Sequence, residues 1–204
     1  PYDVYGRMEP ERIYDMIAYL RSLEPIAAGP YPAEFPGEHT AFQPRPGELS
    51  WPDEDAPEVE LGAYLAEVAH CNACHVGVGA ESITDHPYAG GREFRALGLG
   101  VMRAANLTPD PDTGIGSWSR DVFLARFEGM RGSWETRVKA GGANTVMHWW
   151  QYSLWRESDL SALYAYLRTL DPVANTVNRF EPLPGEFVST RNWSERQAAS
   201  ISSQ

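Results

Sequence analysis

Apolar residues recur three or four positions apart in four segments of this 204-residue chain, with polar residues between them. That spacing is typical of helices that bury one face. The four segments begin near Pro10, Leu61, Val122 and Ser158. Proline is favoured in the first turn of a helix and serine at its N-cap, which supports the starts at Pro10 and Ser158. No segment shows the two-residue alternation of a half-buried strand, so we expect a mostly α fold.

The first and last of these helices repeat each other at an offset of 147 residues, the distance from Tyr19 to Tyr166. Apolar positions can coincide by chance in two amphipathic helices, but shared Tyr, Arg and Pro residues in one register rarely do. The identical positions include Tyr5, Ala18, Tyr19, Leu20, Arg21, Leu23 and Pro25, which recur as Tyr152, Ala165, Tyr166, Leu167, Arg168, Leu170 and Pro172.

The repeat and the prolines divide the chain into four parts. Seven prolines between residues 27 and 57 disfavour helices and sheet ladders there. We predict that residues 1–26 are the C-terminal end of a preceding unit and that residues 27–57 are a linker. Residues 58–173 form a complete unit, and residues 174–204 form an extended tail.

The chain is acidic, with 28 Asp and Glu residues against 17 Lys and Arg and a net charge of −11. Nucleic-acid binding is disfavoured because phosphates repel such a surface. A basic docking partner fits the charge, and so does simple solubility. No run of 18 apolar residues occurs, so we predict no transmembrane segment in this chain.

Both cysteines lie in one motif, Cys71-Asn-Ala-Cys74-His75. If the motif is helical, Cys71 and Cys74 lie on one face, where each can form a thioether with a vinyl group of haem. His75 then reaches the iron as the proximal ligand. The motif predicts one covalent haem c. A zinc site or a dithiol pair is the alternative, although no second C-x-x-C or H-x-x-x-H pair is present.

A second axial ligand is expected on the other side of the haem. Met147 and His148 are adjacent and stand just ahead of the last helix, where the chain can return across the distal face. Both are candidates on position alone.

The chain resembles the c-type cytochrome domains, most closely the multihaem cytochrome subunits of membrane-associated alcohol and aldehyde dehydrogenases. The resemblance covers residues 58–173 almost fully and parts of residues 1–26. Its most specific portion is the string at residues 106–118, which is far longer than the haem motif. The matching segments are Gly62-Ala-Tyr-Leu65, His70-Cys-Asn-Ala-Cys-His75, Ala89-Gly-Gly91, Asn106-Leu-Thr-Pro-Asp-Pro-Asp-Thr-Gly-Ile-Gly-Ser-Trp118, Asp159-Leu-Ser-Ala-Leu-Tyr-Ala-Tyr-Leu-Arg168 and Pro172-Val173.

The resemblance implies a class I-like cytochrome c domain with long proline-rich extensions. It also implies Met147 as the distal ligand, with His148 as the alternative because a histidine replaces the proline that follows the family's methionine. Asn106, Thr108 and Trp118 would bind the haem propionates or shape the loop over one haem edge. Ordinary turn chemistry explains the same loop equally well, because it is rich in Pro, Asp, Thr and Gly.

The resemblance implies that the chain is an electron-transfer component of an oxidoreductase complex, rather than an enzyme in its own right. Its partners would be redox proteins, such as a dehydrogenase subunit or other cytochrome subunits. Thioether attachment takes place outside the cytoplasm, so we expect a periplasmic protein and an export signal upstream of Pro1. The alternatives are a haem enzyme, such as a peroxidase or a sulfur-compound oxidoreductase, and a structural haem module.

Overall fold

The structure is a computed structural model that describes residues 2–26, 47–77, 86–96, 100–132 and 145–182. Most of the predicted linker, residues 27–46, and most of the predicted tail, residues 183–204, lie outside the described residues.

The described residues contain all four predicted helices, together with three short ones. None of the helices in the described ranges is long and apolar enough to cross a membrane. The helices are α1 (Tyr2–Tyr5), α2 (Pro10–Ser22), α3 (Glu58–Val68), α4 (Cys71–His75), α5 (Arg120–Glu128), α6 (Trp149–Tyr152) and α7 (Glu157–Leu167).

The prediction that Ser158 caps the last helix is wrong. α7 begins at Glu157, and its N-cap is Arg156, whose backbone is extended. No side chain caps the helix, but Glu157 and Asp159 place carboxylates in its first turn. These charges stabilise the exposed N–H groups through the helix dipole, so a serine hydroxyl is not needed.

The structure also contains a small three-stranded sheet that the sequence pattern did not predict, so the expectation of a mostly α fold is met only in part. The antiparallel strands are β1 (Glu93–Ala96), β2 (Gly100–Arg103) and β3 (Phe180–Glu181), in that order. Such short strands show no readable alternation. Contacts distant in sequence stabilise the sheet instead, because Arg103 bridges Glu93 of β1 and Glu181 of β3.

The core lies where α3 crosses α7, with α5 packed beside them. Gly62 of α3 lies so close to α7 that a Cβ at this position would overlap the carbonyl oxygen of Ala162. The missing side chain therefore permits the close crossing. The main hydrophobic cluster comprises Ala66, Tyr88, Ile115, Phe123, Phe127, Leu160, Leu163 and Leu167.

The two N-terminal helices, α1 and α2, begin at positions equivalent to those where α6 and α7 begin. Shifted by 147 residues, α1 falls on α6, and the first residue of α2 falls on Glu157, the first residue of α7. The surroundings differ, however. α7 buries four residues in the core, whereas α2 buries none. Leu20, for example, is 63% exposed, while its counterpart Leu167 is 1% exposed.

Replacement of Gly62 by Ala should push α3 and α7 apart. We expect the Gly62→Ala variant to lose about 1–3 kcal/mol of unfolding free energy, the usual cost of overpacking a core. Urea denaturation would measure the loss. Gly129→Ala is a matched control, because the nearest atom to a Cβ there is the oxygen of Ala125 at 3.3 Å. Equal stability of the two variants would contradict the close crossing.

Candidate haem site

The C-x-x-C-H motif lies on its own short helix, α4. α3 ends at Val68, and His70 then adopts the left-handed conformation, with φ of 56°, as the residue before α4. The helical state of Cys71–His75 is thereby confirmed. Cys71 and Cys74, three residues apart on a helix, lie on one face.

His75 is held in the state that a metal ligand requires. Its side chain is buried, at 8% exposure, and Nδ1 lies 2.7 Å from the carbonyl oxygen of Ala105. A carbonyl only accepts hydrogen bonds, so Nδ1 carries the proton and Nε2 presents its lone pair. Burial also lowers the pKa of His75, which keeps the ring neutral. Hydrogen-bonded orientation of this kind is typical of ligating histidines.

No sequence pattern indicates a role for Ala105, because its contribution is a backbone carbonyl. The loop at residues 88–91 positions this carbonyl. Gly90 donates its N–H to the carbonyl of His75 at 2.8 Å and has a φ of +77°. A Cβ there would lie 2.5 Å from the carbonyl carbon of Ala105. Asn175 donates to the carbonyl of Ala89 at 2.9 Å, which ties this loop to the chain beyond α7.

The two cysteine thiols are free in the structure, Cys71 partly buried and Cys74 exposed. Burial, with a smaller contribution from the neighbouring Cys74, raises the pKa of Cys71 to about 12. A dithiol redox centre works through a thiol of lowered pKa, so this environment disfavours that alternative. Within the described ranges, no group of three or more His, Cys, Asp and Glu side chains is placed to hold a metal ion.

The two candidate distal ligands differ in their surroundings. Met147 is partly buried and packs against the main hydrophobic cluster, which Cys71 also contacts. His148 is exposed, and its Nδ1 lies 3.4 Å from the amide nitrogen of Gln151. The structure thus brings the sulfur-bearing side chain of Met147 to the cluster beside the motif and leaves His148 at the surface.

Asn106 and Thr108 are buried in a network of their own. The Asn106 side-chain oxygen accepts from the Thr108 backbone N–H at 2.9 Å and from its hydroxyl at 2.7 Å. The Asn106 amide donates to the carbonyl of Val173 at 2.7 Å and to the Thr113 hydroxyl at 3.1 Å. These contacts fasten the 106–118 loop to the end of the unit, as the turn interpretation expects.

Trp118 is partly buried and packs against the same cluster as Cys71 and Met147. Its carbonyl accepts from the Tyr164 hydroxyl at 2.8 Å, which links the loop to α7. Its indole nitrogen has no hydrogen-bond partner in the described part of the chain, so it remains available to an acceptor such as a carboxylate.

These residues fit haem c. Two thiols lie on one helical face, a neutral buried imidazole presents Nε2, and a thioether packs at the same cluster. Soft sulfur and imidazole donors of this kind are those that hold haem iron in electron carriers.

Displacement of Ala105 should weaken the proximal ligand. We expect Gly90→Ala to lengthen or break the hydrogen bond between His75 Nδ1 and the carbonyl of Ala105. The reduction potential of the haem-loaded chain should then shift. The pH at which acid detaches His75 from the iron should rise, because the imidazole becomes a weaker ligand. Absorption spectra recorded during a redox titration and a pH titration would measure both changes. Gly132→Ala also has a positive φ but has no neighbour within 4 Å, so it controls for backbone strain. Identical behaviour of the two variants would contradict this role of Gly90.

The chain is similar to named cytochrome subunits over most of its length, which confirms the resemblance read from the motifs. It is 35% identical over 125 residues to the cytochrome c subunit of an alcohol dehydrogenase (quinone) from Gluconacetobacter polyoxogenes, covering 60% of this chain and 24% of that protein. It is 34% identical over 128 residues to the gluconate 2-dehydrogenase cytochrome c subunit of Pantoea cypripedii, covering 62% and 26%.

A longer match is found with the fructose dehydrogenase cytochrome subunit of Gluconobacter japonicus, at 29% identity over 201 residues. It covers 89% of this chain and 39% of that protein. The chain therefore spans between about a quarter and two fifths of the length of these three relatives. No family model matches the chain. By sequence, then, the chain is similar to the cytochrome c subunits of an alcohol dehydrogenase (quinone) and a gluconate 2-dehydrogenase and to the cytochrome subunit of a fructose dehydrogenase.

Proposed function

We propose that this chain transfers electrons through one haem c, attached by Cys71 and Cys74 and ligated by His75 and Met147. The hydrogen bond from His75 Nδ1 to the carbonyl of Ala105 carries the proposal, because it prepares an imidazole for iron within a C-x-x-C-H helix. When bound, the haem supplies an iron that alternates between Fe(II) and Fe(III).

The proposed unit is a class I-like cytochrome c domain at residues 58–173, with proline-rich extensions on both sides. Filling both axial positions leaves no open site for a substrate, so the protein acts as a carrier and not as an enzyme. Trp118 binds a haem propionate through its free indole N–H, while Asn106 and Thr108 hold the loop that presents it.

The partners follow from the relatives, which are named as subunits of dehydrogenases. We propose that this haem accepts electrons from a dehydrogenase subunit or another cytochrome subunit in the periplasm, as part of a membrane-associated complex. The net charge of −11 fits a docking partner with a basic surface and does not fit nucleic acid.

The distal ligand can be tested by paired substitutions in the haem-loaded chain. We expect Met147→Ala to abolish the far-red charge-transfer band of the ferric protein, to open the sixth position to carbon monoxide, and to lower the reduction potential, since a thioether favours ferrous iron. His148→Ala is the matched control and should keep all three properties. Loss of the ligand only in His148→Ala would overturn the assignment. Rapid carbon monoxide binding by the unaltered protein would instead favour a haem enzyme.

We further propose that residues 1–26 are the C-terminal end of a preceding haem unit. Three observations support this: the repeat, the coincidence of α1 with α6, and the exposed apolar face of α2. Met16, Ile17 and Leu20 occupy the positions of Leu163, Tyr164 and Leu167. The helix that would cover α2 is the equivalent of α3. One position departs from the pattern, since Asp15 stands where α7 has the buried Ala162.

The proposal that residues 1–26 end a preceding haem unit predicts the number of haems in the full-length polypeptide. Intact mass under denaturing conditions should show more than one covalent haem. We expect Leu20→Glu to reduce that number by one, because a charge on the buried face would prevent the preceding unit from folding. Glu11→Lys also changes charge on α2, but its counterpart is the exposed Ser158, so it should leave the number unchanged. A single haem in the unaltered protein would contradict the proposal.

A further inference from the structure

The segment that follows α7 is packed against the loops that support His75. Every second residue from Val173 to Val177 is half-buried, and the residues between them are exposed. This alternation is typical of an extended chain with one side packed on the protein. The segment then ends in β3, which pairs with β2. Residues 173–181, which we call the strap, therefore remain attached to the unit beyond its last helix.

The strap begins beside Asn106. The backbone N–H of Val173 donates to the Thr108 hydroxyl at 3.1 Å, and the carbonyl of Val173 accepts from the Asn106 amide at 2.7 Å. Asn106 directly follows Ala105, whose carbonyl accepts the hydrogen bond of His75. The first residue of the strap is thus bonded to the neighbour of the residue that orients the proposed proximal ligand.

Arg103 holds the other end of the strap. Its backbone N–H donates to the carbonyl of Arg179 at 2.9 Å, and its guanidinium forms an ion pair with Glu181 at 3.0 Å. Arg103 stands two residues before Ala105. The strap is therefore bonded to the chain on both sides of the Ala105 carbonyl, through Arg103 and Asn106.

Between these two ends, Asn175 holds the loop at residues 88–91. Its side-chain amide donates to the carbonyl of Ala89 at 2.9 Å and to that of Gly90 at 3.2 Å. The loop contains Tyr88 with a φ of 63°, a left-handed conformation that costs free energy for a residue other than glycine. Hydrogen bonds from outside the loop offset this cost.

The same loop is bonded to the segment that contains Ala105. The N–H of Gly91 donates to the carbonyl of Ala104 at 2.8 Å, and the N–H of Leu107 donates to the carbonyl of Tyr88 at 2.8 Å. These bonds lie on either side of Ala105. A displacement of the loop therefore displaces the carbonyl that orients the proposed proximal ligand.

We propose that the strap belongs to the haem unit and that Asn175 is a positioning residue for the proximal ligand. Asn175 holds the loop, the loop holds the Ala105 carbonyl, and the carbonyl fixes Nδ1 of His75. The hydrogen bond to Nδ1 increases the basicity of the imidazole, which stabilises ferric iron. The strap thus contributes to the reduction potential, although the sequence pattern assigns residues 174–204 to a tail. This role rests on the proposed function.

The experiment compares Asn175→Ala with the unaltered haem-loaded chain. We expect a higher reduction potential and a higher pH of acid detachment of His75, because the imidazole becomes a weaker ligand. Hydrogen exchange at the Gly90 amide should be about tenfold faster, as the loss of hydrogen bonds of ordinary strength implies. Asn178→Ala is the matched control, because the Asn178 side chain is exposed and its backbone carbonyl makes the contact with Arg103. It should change none of the three properties.

Two further variants separate positioning from a general loss of stability. Gly62→Ala is expected to destabilise the crossing of α3 and α7 and should leave the reduction potential unchanged. Asn175→Gln keeps an amide donor on a longer side chain, so smaller changes in the same direction are expected. If Asn175→Ala does not retain haem, the comparison with the unaltered chain is made on Asn175→Gln.

Unchanged potential, detachment pH and Gly90 exchange in the Asn175 variants would overturn this proposal and leave the proposed function intact. An equal shift of the potential in Gly62→Ala would also overturn it, because the shift would then follow from lower stability. A chain that carries no haem by intact mass would overturn the proposed function together with the ligand role of the strap. Exchange at Gly90 in that chain would still show whether Asn175 holds the loop.

Discussion

The hydrogen bond between His75 Nδ1 and the carbonyl of Ala105 is the contact on which the rest of the site depends. It fixes the tautomer and the orientation of the ring, and it joins α4 to a segment 30 residues later. That segment continues into Asn106, whose side chain reaches Val173 beyond α7. The hydrogen bonds of His75 and Asn106 therefore connect the proposed proximal ligand, the 106–118 loop and the segment that follows α7. A carbonyl can play this part because its position is set by backbone packing and not by a flexible side chain.

The second constraint is the close approach of α3 and α7. It places α3 against α7, and α4, which carries the C-x-x-C-H motif, follows α3 after two residues. Gly62 permits this approach, and Ala162 and Tyr166 of α7 lie directly against it. α2 repeats much of the sequence of α7 but exposes its apolar face, which fits the proposal that it belongs to a preceding unit.

The sequence predicted those features that depend on local patterns. The haem interpretation of Cys71, Cys74 and His75 assumed a helix, which is present, and the repeat anticipated that α1 and α2 match α6 and α7. The sheet could not be predicted, because its strands are too short for periodicity and depend on Arg103 pairing with distant residues. The role of the Ala105 carbonyl could not be predicted for a similar reason. Every residue has a carbonyl, and only the tertiary structure determines which one accepts a hydrogen bond from His75.

If residues 1–26 belong to a preceding unit, as proposed, Asp15 affects how the two similar units assemble. Repeated helices of nearly the same sequence can exchange places during folding and trap the chain in a swapped form. Were α2 to take the place of α7 on α3, the Asp15 carboxylate would occupy the position of Ala162, which is 1% exposed. Burying a carboxylate at such a crossing costs several kcal/mol of desolvation, which the Asp15–Arg12 ion pair at 3.4 Å repays only in part. In the proposed tandem, the Asp15 carboxylate would therefore disfavour packing of α2 in the place of α7 against α3.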